Sequence, residues 1–357
     1  MFKLALSALI SLLFAMTPAE AAKVEQRGSS ATVKKQVVKK STAKKPRYKR
    51  REAAANRVTV TTRDKSVRRV ITVRGKRKVV YQRLTAAAQV VRSITAGDKA
   101  GLNLTRDPLD LASSVALVLD QTNSEVLFEK NAGVALPIAS ITKLMTGLVV
   151  VEAQQDMDEM LTVSDDDVDR EKFTTSRLRV GSRLSRREML HIALMSSENR
   201  AAAALGRNYP GGIQGFVAAM NAKAHELGMS DTRYVDSSGL SSRNVASARD
   251  LAKLVMAAHQ QPLLREFSTD PGSAVAANGR LVQYRNTNYL VSLPDWDIGL
   301  QKTGFINEAG RCLVMQTIIQ GRAVIMVFLD SKGKQSRTAD AGRMRRWLEA
   351  LKPPGLS

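Results

Sequence analysis

Positive charge is distributed very unevenly along this chain of 357 residues, and its distribution limits where a folded core can form. Of the net charge of +22, residues 23–92 contribute +20, with 23 lysines and arginines against three acidic residues. Residues 93–357 are nearly balanced, with 31 basic and 29 acidic residues. A segment with so much charge of one sign cannot bury a core. We therefore expect a basic, largely disordered leader and linker over residues 22–110, and a compact domain over residues 111–357.

The first 21 residues have the three parts of a secretory signal peptide. Lys3 supplies the positive start, residues 4–16 form an apolar run, and Ala19 and Ala21 form a small-residue cleavage site. The apolar run is too short to span a bilayer comfortably, and a retained signal anchor is the alternative interpretation. We expect residues 1–21 to be removed, which leaves a periplasmic or otherwise exported protein that is soluble.

The hydrophobic pattern of the remaining chain changes between strand-like and helix-like stretches. Runs rich in Val, Ile and Leu predict strands at 115–120, 126–128, 280–286, 298–302, 311–319 and 323–330. Helical spacing predicts helices at 140–154, 186–206, 213–227, 250–259 and 336–351. Strands at both ends with helices between them indicate an α+β fold, in which an antiparallel β-sheet packs against a helical cluster. A basic β-hairpin is also predicted within residues 57–83.

A serine and a lysine three residues apart begin the first predicted helix. Ser140 and Lys143 precede an apolar run that includes Leu144 and Leu148. Residues three apart share one face of a helix, so the lysine amine can reach the serine hydroxyl. Serine becomes a good nucleophile when a base takes its proton, and a lysine with a lowered pKa can be that base. Alone, the pattern is also typical of an N-cap serine followed by a solvated lysine.

Two later segments supply further polar groups. Ser197 and Asn199 lie at a helix start, where they are either helix caps or a second hydroxyl and an amide for a substrate. Lys302, Thr303 and Gly304 follow a strand-like run. The lysine and threonine can hold a carboxylate, and the glycine lets a ligand approach the backbone. The alternative for this second segment is a strand that ends in a turn.

The three motifs occur in a characteristic order, 57 and 105 residues apart. Ser-x-x-Lys, Ser-x-Asn and Lys-Thr-Gly are together typical of penicillin-binding proteins and serine β-lactamases. Residues 112–330 resemble the D-alanyl-D-alanine peptidases among the low-molecular-mass penicillin-binding proteins, peptidase family S11, on the stretches 136–146, 195–199 and 236–240. This resemblance implies a β-lactamase/transpeptidase-like fold. The soluble DD-endopeptidase branch fits best, because the chain ends soon after its last helix, without the C-terminal β-domain of the carboxypeptidase branch.

The resemblance also implies an acyl-enzyme mechanism. Ser140 would attack the carbonyl of a D-alanyl peptide bond in peptidoglycan, and Lys143 would accept the proton of its hydroxyl. Ser197 would pass a proton to the leaving amine, with Lys302 as a nearby cation. The backbone N–H groups of Ser140 and Phe305 would form the oxyanion hole.

The remaining site residues are expected to bind the substrate. Asn199 would contact the peptide, and Lys302 and Thr303 would meet a substrate carboxylate beside Gly304 and Phe305. This chemistry requires no cofactor and no metal. β-Lactams are expected to be covalent inhibitors, because they would acylate the same serine.

Three alternative functions share these residues. A D-Ala-D-Ala carboxypeptidase would use the same motifs, and a penicillin-binding sensor would be acylated without turnover. A serine β-lactamase is the third, although the Glu-x-x-Leu-Asn deacylation motif of class A enzymes does not occur between residues 200 and 301. We therefore expect penicillin to label Ser140 and to persist there.

The basic leader suggests a partner of its own. Nucleic acid would be attracted by the clustered lysines and arginines, but Tyr48 and Tyr81 are the only aromatic residues there, too few for a base-stacking platform. Export would also separate the protein from nucleic acid, so we expect none as a partner. An anionic surface of the cell envelope is the more plausible target, and a solvated tether is the alternative.

Overall fold

The computed structural model describes residues 66–73, 76–83 and 94–351, and divides the chain into two units between Ala87 and Ala88. In the first unit, β1 (Ser66–Val73) and β2 (Lys76–Arg83) pair antiparallel, which matches the hairpin predicted within residues 57–83. The predicted signal peptide at 1–21 and residues 22–65 of the predicted leader lie outside the described residues and stay predictions.

The second unit contains most of the secondary structure. Its strands are β3 (Ser113–Asp120), β4 (Val126–Lys130), β5 (Leu136–Pro137), β6 (Met160–Thr162), β7 (Arg183–Ser185), β8 (Val245–Ala246), β9 (Gly272–Ala277), β10 (Arg280–Arg285), β11 (Asp297–Ile306), β12 (Gly310–Ile319) and β13 (Arg322–Ser331). Its helices are α1 (Ala96–Lys99), α2 (Thr142–Glu152), α3 (Arg186–Met195), α4 (Asn199–Arg207), α5 (Gly212–Glu226), α6 (Ala248–His259), α7 (Pro262–Thr269) and α8 (Ser336–Ala350).

Five long strands form one antiparallel sheet in the order β11-β12-β13-β3-β4. The first and last of these strands in the sequence therefore meet inside the sheet, where β3 pairs with β13. Short two-stranded ribbons, among them β9 with β10, lie outside this sheet. The architecture is the predicted α+β fold with an antiparallel sheet and a helical cluster.

Both faces of the sheet are covered. Neighbouring residues of a strand point to opposite faces, so Leu313 and Met315 pack in the same apolar cluster as Met344 of α8, whereas Val314 packs in the cluster that contains Leu144 of α2. This burial on both sides explains why the strands read as nearly continuous apolar runs. The sequence analysis predicted the sheet, the helical cluster and a helix at 336–351, and the structure shows that this helix, α8, lies on the opposite face of the sheet from α2.

A buried carboxylate fixes α8 to the sheet. Asp340 accepts hydrogen bonds from the backbone N–H of Ala112 at 3.1 Å and of Ser113 at 2.8 Å. It is fully buried and also contacts Arg343 on its own helix. A buried charge is tolerated only when it is hydrogen-bonded and paired, as it is here.

Helix α2 lies in the centre of the helical cluster. Nine of its eleven residues are buried, and it packs against α3, α5 and α6. A helix that is apolar on all sides belongs in the interior. The amino-terminal end of α2 is therefore held on every side, and this end carries the serine and lysine of the first motif.

One predicted helix is two helices in the structure. The stretch 186–206 was expected to be continuous, but α3 ends at Met195 and α4 begins at Asn199. Between them, Ser197 has a positive φ of 64°, and the Glu198 side chain accepts a hydrogen bond from the backbone N–H of Arg200. Short polar side chains compete with helical hydrogen bonds and favour such breaks. Because of this break, Ser197 lies in the turn between α3 and α4, and Asn199 is the first residue of α4.

Residues 94–110 contact the body of the second unit. Asp98 forms an ion pair with Lys332, and Asp107 forms a buried ion pair with Lys130 at 2.8 Å. The predicted domain boundary at residue 111 stays a prediction, and these contacts lie before it. None of the helices described between residues 94 and 351 combines the length and apolar composition that crossing a bilayer requires.

Candidate active site

The turn that carries Ser140 is held between two glycines from distant elements. Ser140 lies in a short 3₁₀ helix before α2, next to Ala139, whose φ of 48° is unfavourable for a residue with a side chain. A Cβ on Gly304 of β11 would lie 2.8 Å from the Ile138 carbonyl oxygen, and a Cβ on Gly239 would lie 2.0 Å from that of Ala139. Only glycine permits both approaches, so the position of Ser140 depends on them.

Lys143 reaches the serine hydroxyl from the first turn of α2. Its Nζ lies 2.9 Å from Ser140 Oγ, 2.8 Å from Asn199 Oδ1 and 2.6 Å from the Ser238 carbonyl oxygen. Complete burial lowers the pKa of Lys143 to about 8, although two nearby carboxylates oppose this shift. A fraction of the amine is therefore neutral near pH 7 and can accept a proton.

Lys302 holds the second serine in the same way. Its Nζ donates to Ser197 Oγ at 3.0 Å and to the Thr303 carbonyl oxygen at 2.9 Å. Burial, with Lys143 and Arg337 as further positive neighbours, lowers the pKa of Lys302 well below that of an exposed lysine. Because two buried amines repel each other when both are charged, protonation of one disfavours protonation of the other.

The amide and hydroxyl groups predicted to bind substrate are held by polar partners. The Asn199 side chain accepts from Lys143 and donates to Thr174 Oγ1 at 3.0 Å. The hydroxyls of Thr303 and Thr287 lie 2.6 Å apart. These bonds orient two side chains of the site and connect β11 to the segment that follows β10.

The edge strand β11 presents Gly304 and Phe305 beside the serine turn. Arg337 of α8 donates to the Gly304 carbonyl oxygen at 2.7 Å, and burial lowers the pKa of Arg337 to about 10. The Phe305 ring is half exposed and lies 4.6 Å from the guanidinium of Arg311. The strand end is therefore fixed from the side of α8, and an apolar ring remains open to a ligand.

A cleft of about 500 Å³ opens at the second motif. Its wall contains residues of three segments, which are Thr175, Ser176, Arg177, Ser196, Ser197, Glu198, Asn199, Tyr284, Arg285 and Thr287. Another cavity, of about 340 Å³, lies between the β12–β13 turn and the end of α8 and contains none of the motif residues. The cleft is therefore the candidate substrate site.

The structure brings together the residues that the sequence analysis placed at one site. Hydrogen bonds connect Ser140, Lys143 and Asn199, and Ser197 with Lys302. Thr303, Gly304 and Phe305 continue the strand from Lys302. Five residues with site contacts were missed, namely Thr174, Thr287, Ser238, Gly239 and Arg337. Ser238 and Gly239 belong to the quoted stretch 236–240, whereas nothing in the sequence singles out Thr174, Thr287 or Arg337.

This arrangement is a nucleophile with its own base, and the base is fully buried. A family comparison decides which class of protein it belongs to, because the D-alanyl-D-alanine carboxypeptidase model of peptidase family S11 matches residues 103–333. The chain belongs to peptidase family S11. The match includes all three motifs, and it confirms the resemblance that the motifs indicated.

Two relatives are similar to this chain over most of their length. A D-alanyl-D-alanine endopeptidase of Pseudomonas aeruginosa is 52% identical over 253 residues, which cover 70% of this chain and 81% of the relative. A D-alanyl-D-alanine endopeptidase of Escherichia coli K12 is 46% identical over 245 residues, which cover 68% and 79%.

A solved structure supports the fold assignment. The crystal structure of the Streptomyces K15 DD-transpeptidase superposes with a TM-score of 0.63 and 24% identity, over 69% of this chain and all of the other. At this identity, the superposition establishes the transpeptidase-like fold and leaves the reaction to be argued from the site.

Proposed function

We propose that this S11 peptidase is an exported serine DD-endopeptidase that hydrolyses D-alanyl peptide bonds in peptidoglycan cross-links. One observation carries the proposal most directly: Lys143 Nζ contacts Ser140 Oγ at 2.9 Å, and burial lowers the pKa of this lysine to about 8. Two relatives at 52% and 46% identity are D-alanyl-D-alanine endopeptidases, which supports the choice of cross-links over terminal D-alanine.

In the acylation step, Ser140 Oγ attacks the carbonyl carbon of the D-alanyl residue. Its proton passes to Lys143 Nζ, and the negative charge that develops on the carbonyl oxygen is held by the backbone N–H groups of Ser140 and Phe305. Gly304, the residue before Phe305, lies close to the backbone nitrogen of Ser140, because a Cβ on this glycine would be 3.2 Å from that nitrogen. This proximity supports the assignment of the Ser140 and Phe305 N–H groups to one oxyanion hole.

The scissile C–N bond then breaks, and the leaving amine needs a proton. Ser197 relays it: its hydroxyl gives a proton to the amine and takes one from Lys302 Nζ, to which it is hydrogen-bonded in the cleft wall. Asn199 contacts the peptide, and Lys302 and Thr303 meet a substrate carboxylate. Water subsequently attacks the ester on Ser140, the proton of the water returns to Lys302 through Ser197, and Lys143 gives its proton back to Ser140 Oγ as the product leaves.

Digestion of purified muropeptides, read by mass spectrometry, tests this function. The wild type should convert cross-linked dimers into monomers with addition of water, and Ser140→Ala should leave the dimers intact. Ser230→Ala, a substitution of an exposed serine outside the site, is the matched control and should retain wild-type activity. Intact dimers after digestion with the wild type would contradict the proposal.

The same experiment separates the alternative functions. Loss of a terminal alanine from monomeric pentapeptides with intact dimers would indicate a carboxypeptidase, the activity for which the family is named. Covalent labelling by penicillin without any digestion would indicate a sensor. Fast hydrolysis of penicillin would indicate a β-lactamase, whereas the proposal requires a persistent acyl-enzyme on Ser140.

For the basic leader, we propose attachment to an anionic surface of the cell envelope after removal of residues 1–21. The net charge of +20 over residues 23–92 supports this. Binding to vesicles with anionic lipids should fall when residues 23–92 are deleted, while penicillin labelling of Ser140 remains. Equal binding of the vesicles by the full chain and by the deletion variant would indicate that the leader is only a tether.

A further inference from the structure

Two cavities with a shared arginine extend from the second motif between the loop of residues 168–182 and the β9–β10 hairpin. The cleft of about 500 Å³ has Arg177 and Arg285 in its wall. A second cavity, of about 330 Å³, is lined in part by Arg177, Arg179 and Arg280. We refer to these four arginines as the arginine rim.

Arg177 connects the two walls of this region. Its Nη1 donates to the backbone carbonyl of Gln283 at 2.6 Å, and its guanidinium lies 5.1 Å from the centre of the Tyr284 ring. The loop is thereby tied to β10. The arginine rim is therefore attached to structured elements on both sides, at the mouth of the active-site cleft.

The charge of the arginine rim is not neutralised by neighbours. All four side chains are exposed, and within residues 94–351 none of them forms an ion pair with a carboxylate. Glu198 is the one acidic residue in the described walls of the two cavities, and it is buried. Its Oε1 already accepts a hydrogen bond from Ser176 at 2.7 Å. The region therefore presents four positive charges to whatever enters it.

A buried hydroxyl lies in the same wall. Tyr284 is 2% exposed, and its hydroxyl lies beside the Glu198 carboxylate. Burial and this carboxylate raise the pKa of Tyr284, so the hydroxyl stays protonated. Buried polar groups normally have partners, and Glu198 is the partner of this one, so the four guanidinium groups are the charged groups left for a ligand.

We infer that the arginine rim is a subsite for the free carboxylates of the second peptide strand of a cross-linked substrate. Guanidinium groups hold carboxylates through paired hydrogen bonds, and a subsite beside Ser197 and Asn199 is placed to take the part of a dimer beyond the scissile bond. A monomer lacks that second strand. The subsite would therefore favour dimers, and this inference rests on the proposed endopeptidase function.

The test removes charge without disturbing the contacts of Arg177. Arg280→Gln with Arg285→Gln leaves the Gln283 and Tyr284 contacts in place, and Arg346→Gln, an exposed arginine on α8, is the matched control. The KM for a muropeptide dimer should rise about tenfold in the double variant and stay unchanged in Arg346→Gln. On a dimer whose carboxylates are amidated, wild type and double variant should have the same KM. Penicillin labelling verifies that each protein keeps a folded site.

The binding of the dimer is measured with proteins that also carry Ser140→Ala and therefore cannot cut it. This measurement separates the inference about the subsite from the proposed function. Calorimetry with the intact dimer should show the same tenfold loss of affinity in the double variant and a weaker affinity at high salt. An unchanged KM and affinity, or an equal loss on the amidated dimer, would overturn the subsite. A wild type that binds the dimer through the rim but does not cut it would overturn the endopeptidase assignment alone.

Discussion

The acylation rate should follow the titration of Lys143. Its pKa of about 8 is lower than the ordinary lysine value of 10.5, because the amine is fully buried and contacts Ser140 Oγ. Only the neutral amine can take the serine proton. The rate of acyl-enzyme formation should therefore increase with pH and level off above the pKa of this group.

The magnitude follows from the two pKa values. At pH 7 a lysine with a pKa near 8 is about 9% neutral, whereas one at 10.5 is about 0.03% neutral, a ratio of about 300. Between pH 7 and pH 9 the neutral fraction of Lys143 rises about tenfold. Lys143→Arg keeps the positive charge but cannot lose it, so it should lower the rate by about 10²- to 10⁴-fold.

Stopped-flow labelling with a fluorescent penicillin between pH 6 and pH 10 measures this rate directly. The wild type should show one rise with a midpoint near pH 8. Lys143→Arg should be slow and lack this rise. Lys253→Arg, an exchange of a lysine on α6 outside the site, is the control and should leave the profile unchanged. A wild-type profile that is flat from pH 6 to pH 9.5, or a fast Lys143→Arg enzyme, would refute the role of Lys143 as base.

Three further predictions concern stability and positioning. The pKa of Lys143 is lower in the folded than in the unfolded state, so between pH 8 and 10.5 the unfolded chain binds more protons. The unfolding free energy of the wild type, measured relative to Lys143→Met, should therefore increase across this window by about 3 kcal/mol. Denaturant titrations at several pH values measure this difference. Gly304→Ala should slow penicillin acylation by about tenfold or more, because the new Cβ would be 2.8 Å from the Ile138 carbonyl oxygen. Gly133→Ala is the control, since its Cβ meets nothing within 4 Å, and this variant should be acylated at the wild-type rate. Asp340→Asn should lower the unfolding free energy by about 3 kcal/mol, because it weakens the contacts of Asp340 with Ser113 of the sheet and with Arg343 on its own helix. The acylation rate at permissive temperature should change little. A loss of stability below about 0.5 kcal/mol would contradict this prediction.

The sequence predicts those parts of the fold whose pattern is strong locally. The paired strands β3, β12 and β13 were predicted within a few residues, because their side chains are buried on both faces. Helix α8 was predicted at 336–351 from its apolar positions and is observed one residue shorter. The site was predicted as a set because three motifs share one order and spacing, which a single motif does not provide.

Elements that depend on tertiary contacts were not predicted. Helix α7 is short, begins with Pro262 and has no counterpart among the predicted elements, and it forms by packing Leu264 and Phe267 into the core. Strand β9 is made largely of Gly, Ser and Ala and exists through its pairing with β10. Arg337 reaches Gly304 of β11 because α8 packs on the sheet, a tertiary contact that no local pattern indicates.

The pairing of β3 with β13 has a consequence for how the chain is made. Ser113 and Ser331 are partners in neighbouring strands although almost the whole domain separates them in the sequence. Until the ribosome has delivered β13, β3 lacks its partner on that side, and one edge of β12 is open as well. Contacts of such long sequence separation form slowly, and open edges recruit other chains. Nascent or truncated chains that stop before residue 322 should therefore be the aggregation-prone species of this protein.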